Sequence, residues 1–240
     1  MPLPQQTIGI LGGMGPNASA DFLQRILRIS SKKYGAVQDD EYPSIVLNSI
    51  GLQGFATSGI TNMPLVEQQL IQGVQFLTKA GTNIIAIPCN TVHCCYQTVQ
   101  STTPIPILHT AEITAAAVAD IGISRIGLCS SVTTVQTKLY EDACAAKGID
   151  VLVPSPNQQK IVNDIIESVM SGGNGEEELL QLKSVILGLQ SQGAQGVILG
   201  CTELPLVINQ KWTDVPLFDS LELLAIAATD AAYAADCAVV

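Results

Sequence analysis

Two cysteines stand at matching places in two similar stretches of this chain, in surroundings that suit proton transfer. Cys89 lies in Pro88-Cys89-Asn90-Thr91, at the end of the apolar run 83–88. Cys201 lies in Gly200-Cys201-Thr202-Glu203, after the apolar run 196–200. Each falls where an apolar strand passes into a helix start, and there backbone amides and the helix dipole favour a thiolate. A free thiol titrates near pH 8.5, so a modest downward shift gives an appreciable thiolate fraction at neutrality. Inverting a carbon acid needs a base on one face and an acid on the other. With the carbon about 3–3.5 Å from each reacting atom, two thiols in those roles would stand roughly 6–7.5 Å apart. Asn90, Thr91 and Thr202 supply donors for a carboxylate whose neighbouring carbon becomes carbanionic. The segment 129–134 adds the hydroxyls of Ser131 and Thr134 at another strand end.

Other chemistry-bearing groups read more modestly. Gly12-Gly13-Met14-Gly15-Pro16 follows the first strand, where glycines let amides approach a ligand and the next helix offers its positive end to an anion. It is neither G-x-G-x-x-G nor a Walker loop. His93 lies one helical turn after Cys89, placed either to touch that thiol or to hold its loop, and His109 reads as structural. Glu203 either orients Cys201, holds a substrate ammonium or makes a structural hydrogen bond. Cys89, His93, Cys94 and Cys95 lack the paired C-x-x-C spacing of structural zinc sites, which argues against a metal. The seven cysteines, odd in number and scattered in spacing, argue against a disulfide framework and read mainly as small buried hydrophobes.

The elements that must position these groups alternate. Short runs rich in Ile, Val and Leu at 7–11, 44–48, 83–88, 105–109, 125–129, 149–153, 196–200 and 215–218 read as strands covered on both faces. Helical patterns at 19–31, 63–80, 111–121, 136–147, 161–170 and 176–192 separate them. The class is α/β, with mainly parallel sheets flanked by helices. An internal echo divides the chain. Cys89 and Cys201 are offset by 112, the runs beginning Ile8-Gly9 and Ile126-Gly127 by 118, and Pro106 and Pro216 by 110. Three motifs recurring in one order predict two similar lobes, related by a pseudo-twofold with the site between them. Open parallel sheets place ligands beyond the carboxyl ends of their strands, where both cysteines lie.

Composition narrows the function. Eleven Lys and Arg against 21 Asp and Glu give a formal charge of −10, which opposes counterion-driven nucleic-acid binding and polybasic membrane attachment. A 47% hydrophobic content excludes disorder. The apolar stretch 221–240 is broken by Asp230 and Asp236, so it is no membrane span. The first residues lack a basic region before an apolar core, so a cytoplasmic location is expected.

These motifs together resemble the cofactor-independent aspartate/glutamate racemase superfamily, specifically its aspartate racemase branch. The carriers are Ile-Gly-Ile-Leu-Gly-Gly-Met-Gly-Pro at 8–16, Pro-Cys-Asn-Thr-Val-His at 88–93 and Gly-Cys-Thr-Glu at 200–203. Met14 and Glu203 stand where the glutamate enzymes differ. The resemblance implies interconversion of L- and D-aspartate by Cys89 and Cys201 as acid and base, with no pyridoxal phosphate or metal. It implies a lobe of residues 1–105 plus 215–240, a second lobe of 106–214, and a homodimer acting on a small-molecule amino acid. Candidate substrate contacts are Met14, Asn48, Gln53, Asn90, Thr91, Ser131, Thr134, Lys160, Thr202 and Glu203. The chain departs from the branch at one point. Phe55 and Met170 occupy the positions aligned with an arginine and a lysine that hold the distal carboxylate, and residues 48–61 contain neither basic type. Lys160 or Gln53 would then serve that group, and glutamate, homoserine or broader specificity stays open. A maleate-type cis–trans isomerase using the same thiols, and an amino-acid sensor on the racemase fold, are the other readings.

Overall fold

The computed structural model describes residues 3–56, 59–173 and 175–234. The chain divides into two compact units, one of 1–55, 60–109 and 221–240, the other of 56–59 and 110–220.

In the first unit, β1 (Ile8–Gly12) is buried along its whole length. Its parallel neighbours are β2 (Ile45–Ser49) on one side and β5 (Ile84–Ala86) on the other. Between β1 and β2 runs α1 (Pro16–Tyr34), which starts on a proline and ends at Gly35 in the left-handed region, as helices commonly do. A short two-strand ladder, β3 (Phe55–Ala56) and β4 (Gly59–Ile60), of which 56–59 count with the other unit, precedes α2 (Met63–Lys79), whose first turn is capped by the Asn62 side chain accepting from the Leu65 amide. After β5 come a 3-10 turn (Thr91–Cys95) and the one-turn helix α3 (Tyr96–Gln100). Val66, Leu70, Val74 and Leu77 of α2 pack with Leu11 and Ile85 to form this unit's core.

The second unit opens with α4 (Thr110–Asp120) and repeats the order. Central β6 (Arg125–Ser130) is followed by α5 (Val132–Gln136), α6 (Leu139–Ala145), β7 (Asp150–Leu152), α7 (Pro156–Met170), α8 (Glu176–Ser191), β8 (Val197–Gly200), α9 (Leu204–Val207) and β9 (Leu217–Asp219). The sheet runs β7-β6-β8-β9, all parallel. The first unit has the same arrangement, β2-β1-β5, with a parallel bridge from Ile85 to Ile107 in the fourth place. The echo read from the sequence is therefore a repeated topology. From Leu221 the chain rejoins the first unit as α10 (Ser220–Tyr233). There Glu222 pairs with Arg25 and Arg28, Asp230 with Lys33, and Tyr233 stacks on Tyr34 at 3.9 Å.

Several boundaries differ from expectation for identifiable reasons. The run 105–109 makes one bridge instead of a strand, because Pro104 and Pro106 donate no ladder hydrogen bonds. The expected helix 136–147 is two helices, broken at Lys138 in the left-handed region, which turns Leu139 and Tyr140 into the core. Residues 217–219 pair with β8, and residues up to 220 belong to the second unit and not to the 215–240 segment assigned to the first lobe. The second unit likewise begins at Thr110 and not at Pro106. Among the described residues no helix is long and apolar enough to cross a membrane. Asp236 and Cys237 lie outside the described residues.

Candidate active site

Both cysteines leave the carboxyl ends of their strands. In the first unit, β1 and β5 pair Ile10 with Ala86, and Gly13 and Cys89 each stand three residues further along their chains, in the loops that leave these strands. Gly13 has a φ of 100°, and a Cβ there would lie 2.0 Å from the Ile50 carbonyl oxygen, so only glycine fits this close approach. Ser19, buried on α1, fixes the loop by accepting from the Gly13 amide at 2.9 Å and donating to the Gly15 carbonyl at 3.0 Å. Cys89, Asn90 and Thr91 follow β5 and are all buried.

In the second unit, β6 and β8 pair Ser130 with Gly200, and Ser131 and Cys201 are the first residues beyond these two neighbouring strand ends. Glu203 accepts from the Cys201 thiol at 3.0 Å and from the Thr202 hydroxyl at 2.9 Å through the same Oε2. Of the readings open for Glu203, orienting Cys201 has a direct contact. Ser131 caps α5, accepting from the Thr134 amide, and its Oγ lies 3.0 Å from Thr134 Oγ1.

The helical segments after the cysteines are short. A 3-10 turn follows Cys89, and four-residue α9 follows Cys201. Neither sums enough peptide dipoles to act as a full helix terminus, so local hydrogen bonds set the surroundings of each thiol.

His93 belongs to the Cys89 loop as a brace. Its Nδ1 lies 2.8 Å from the Cys89 carbonyl and its Nε2 3.3 Å from that of Leu108. His109 meets it edge-on at 5.5 Å and Tyr96 at 4.5 Å. Burial, helped by His109, depresses the His93 pKa to about 4, so the ring is neutral at physiological pH. Burial pushes the Cys129 thiol up to about 12 and that of Cys144 to about 11, which leaves both as inert core groups.

Other expected contacts sit elsewhere. The Met14 side chain is buried in the core of the first unit with Leu11 and Val66, so only its backbone belongs to the loop. Asn48 turns toward α2, its Nδ2 3.5 Å from the Gly73 carbonyl, on a cavity of about 270 Å³ that it shares with Ile50, Gln69, Gln72 and Phe76 but not Cys89. Gln53 is held through its backbone by the Gln69 amide. The Lys160 side chain is 77% exposed and bonded to Asp164 at 2.8 Å, a solvated pair on one helix face. Beside it stands a residue that sequence reasoning passed over. Gln159 donates to the Ser130 carbonyl at 2.8 Å and to Asn163 at 3.1 Å, tying α7 to the end of β6. The signal was the Ser155-Pro156 helix start, which places Gln159 in the first turn of α7.

Two outcomes follow from these contacts. A carboxylate accepting a thiol proton disfavours the thiolate, so Glu203→Gln should speed iodoacetamide alkylation of Cys201 several-fold at neutral pH, read by peptide mass spectrometry. An unchanged rate would contradict the Glu203 contact. His93 has a folded pKa below its unfolded value of about 6.5, so the unfolded chain takes the proton first as pH falls. Stability contributed by the neutral ring is thus present above pH 6.5 and lost as pH drops toward 4, by up to about 3 kcal/mol. Denaturation of His93→Gln across that window should show a flatter acid slope than the parent, and an identical slope would contradict the assignment.

Comparison with known proteins agrees with this geometry. The model of the family described as Asp/Glu/Hydantoin racemase matches residues 11–228. The broad specificity amino-acid racemase RacX of Bacillus subtilis is 29% identical over 218 residues, covering 91% of this chain and 94% of that one. The crystal structure of an aspartate racemase homologue from Pyrococcus horikoshii superposes with a TM-score of 0.81 at 28% identity, covering 96% of this chain and all of that one. Picrophilus torridus aspartate racemase, at 23% identity and a TM-score of 0.78 over 95% and 94% of the two chains, shares the fold. Paired thiols at the ends of a repeated parallel sheet and a match spanning nearly the whole chain lead to one conclusion: this protein belongs to the Asp/Glu/Hydantoin racemase family.

Proposed function

We propose that this protein racemises free amino acids by proton transfer between Cys89 and Cys201. The observation that carries the reading is the repeated placement of one cysteine just beyond the third strand of each unit's parallel sheet. In one direction a thiolate takes the α-proton to become a thiol, and the opposite thiol gives its proton to the other face of the carbon. The reverse direction exchanges the roles, and no net proton is consumed. The reading requires the two sulfurs to flank one carbon, roughly 6–7.5 Å apart. Asn90 and Thr91 beside Cys89, and Ser131 and Thr134 beside Cys201, are the donors proposed for the substrate carboxylate as charge develops. Loss of a donor of this kind typically costs 10²–10³ in rate. Glu203 sets the orientation of the Cys201 thiol.

For the substrate side chain, the placement of charge favours breadth over aspartate alone. None of the eleven Lys and Arg residues lies in residues 48–61, and Lys160 is committed to Asp164 at the surface. The formal charge of −10 also repels dicarboxylates at long range. Neutral, hydrogen-bonding side chains are therefore accepted at least as well as aspartate. The relative RacX is itself named for broad specificity. Aspartate specificity, implied by the loop motifs, is the competing reading and enters the same test.

The test is a racemisation screen of the reduced protein, without added cofactor, against both enantiomers of aspartate, glutamate, homoserine, serine, glutamine and methionine. At least one neutral substrate should reach a kcat/KM within tenfold of that for aspartate. Cys89→Ser and Cys201→Ser should each lose at least a hundredfold while keeping the parent circular dichroism. A hundredfold preference for aspartate would overturn the specificity, and an active serine variant the two-thiol mechanism. Racemisation of none of the panel would overturn the function itself. A thioether adduct with maleate would then favour the isomerase, and tight binding without proton exchange the sensor.

A further inference from the structure

Beyond Cys89, in the first unit, the Cys95 sulfur touches two other sulfur atoms, and the proposed reaction uses none of the three. Cys95 Sγ donates to Met63 Sδ at 3.5 Å and lies 3.8 Å from Cys94 Sγ. Cys95 is 1% exposed, Cys94 half-buried, and Met63, in the first turn of α2, 39% exposed. The central sulfur of the cluster is thus buried, and the residues on either side of it are partly exposed. We propose that Met63, Cys94 and Cys95 form a binding site for one soft monovalent cation, Cu(I), held by two thiolates and a thioether.

Three arguments support the assignment. The donors are all sulfur, and thiolate and thioether ligands select Cu(I) among biological metals. Three sulfurs each about 2.3 Å from a central ion stand about 4 Å apart in a trigonal plane, and the two separations at Cys95, 3.5 and 3.8 Å, need to open by only a few tenths of an ångström. Borderline ions find no complement of nitrogen or oxygen here. The His93 ring is turned to the Cys89 and Leu108 carbonyls, and among the described residues no group of three or more His, Cys, Asp and Glu could hold a metal. On binding, two copper–thiolate bonds and one copper–thioether bond form, both thiol protons go to solvent, and no oxidation state changes. The site does not depend on the racemase reading.

The test is an anaerobic competition of the whole reduced protein with a chromophoric Cu(I) chelator. The parent should hold one Cu(I) per chain, with copper X-ray absorption showing three sulfurs at about 2.3 Å. Cys94→Ser and Cys95→Ser should each weaken binding at least tenfold, and Met63→Leu several-fold. The last variant keeps side-chain volume at an exposed position, so it preserves the test should loss of buried Cys95 unfold the chain. Cys89→Ser should bind within twofold of the parent, and Zn(II) should not compete. Absence of Cu(I) retention, parental affinity in Met63→Leu, loss of binding in Cys89→Ser, or two-coordinate copper would each overturn the site.

Discussion

The structure is governed by what a strand buried on both faces can offer. β1, β5, β6 and β8 are nearly continuous Ile, Val, Leu and Gly because helices cover both sides of each sheet. Such strands have no face left for chemistry. Reactive side chains are confined to the residues where the ladder ends, and in a parallel sheet those ends gather along one edge. Cys89 and Cys201 occupy that place in two sheets of the same order, each next to the loop that leaves the central strand. Gly13 and Ser19 shape one loop and Ser131 and Thr134 the other, so the repeated backbone carries dissimilar side chains. A racemase needs that division, since it must treat two faces of one carbon alike in proton chemistry while holding a substrate that is not symmetric.

Much of this was legible in the sequence because it rests on periodicity and spacing. Continuous apolar runs gave the strands, the offsets between Ile8 and Ile126 and between Cys89 and Cys201 gave the repeat, and the strand-end position of the cysteines followed from both. What was not legible depends on where a side chain turns once the backbone is set. Asn48 ends the apolar run 44–48, where a site residue is expected, yet it faces α2. Lys160 is adjacent to Gln159 in sequence, but the helix turns one to solvent and the other to the end of β6. Prolines at 104 and 106 reduced an apolar run to one bridge, and a left-handed turn at Lys138 split a helix whose pattern read as continuous.

The thiols illustrate how one residue type takes several roles by environment alone. Cys129 and Cys144 are deep in the second unit and held protonated by burial. Cys94 and Cys95 are adjacent in sequence but differ in exposure and in the direction of their shifts. Cys201 hydrogen-bonds a carboxylate, Glu203, in its own turn, and that contact fixes the direction of its thiol.

The central claim, that two thiols act on opposite faces of one carbon, is tested most directly by isotope placement. Racemisation of a single protiated enantiomer in deuterium oxide, stopped within the first few percent of reaction, should give product carrying solvent deuterium at the α-carbon and recovered substrate carrying none. Product retaining the original hydrogen, or deuterium appearing equally in recovered substrate, would mean that one group serves both faces and would contradict the account.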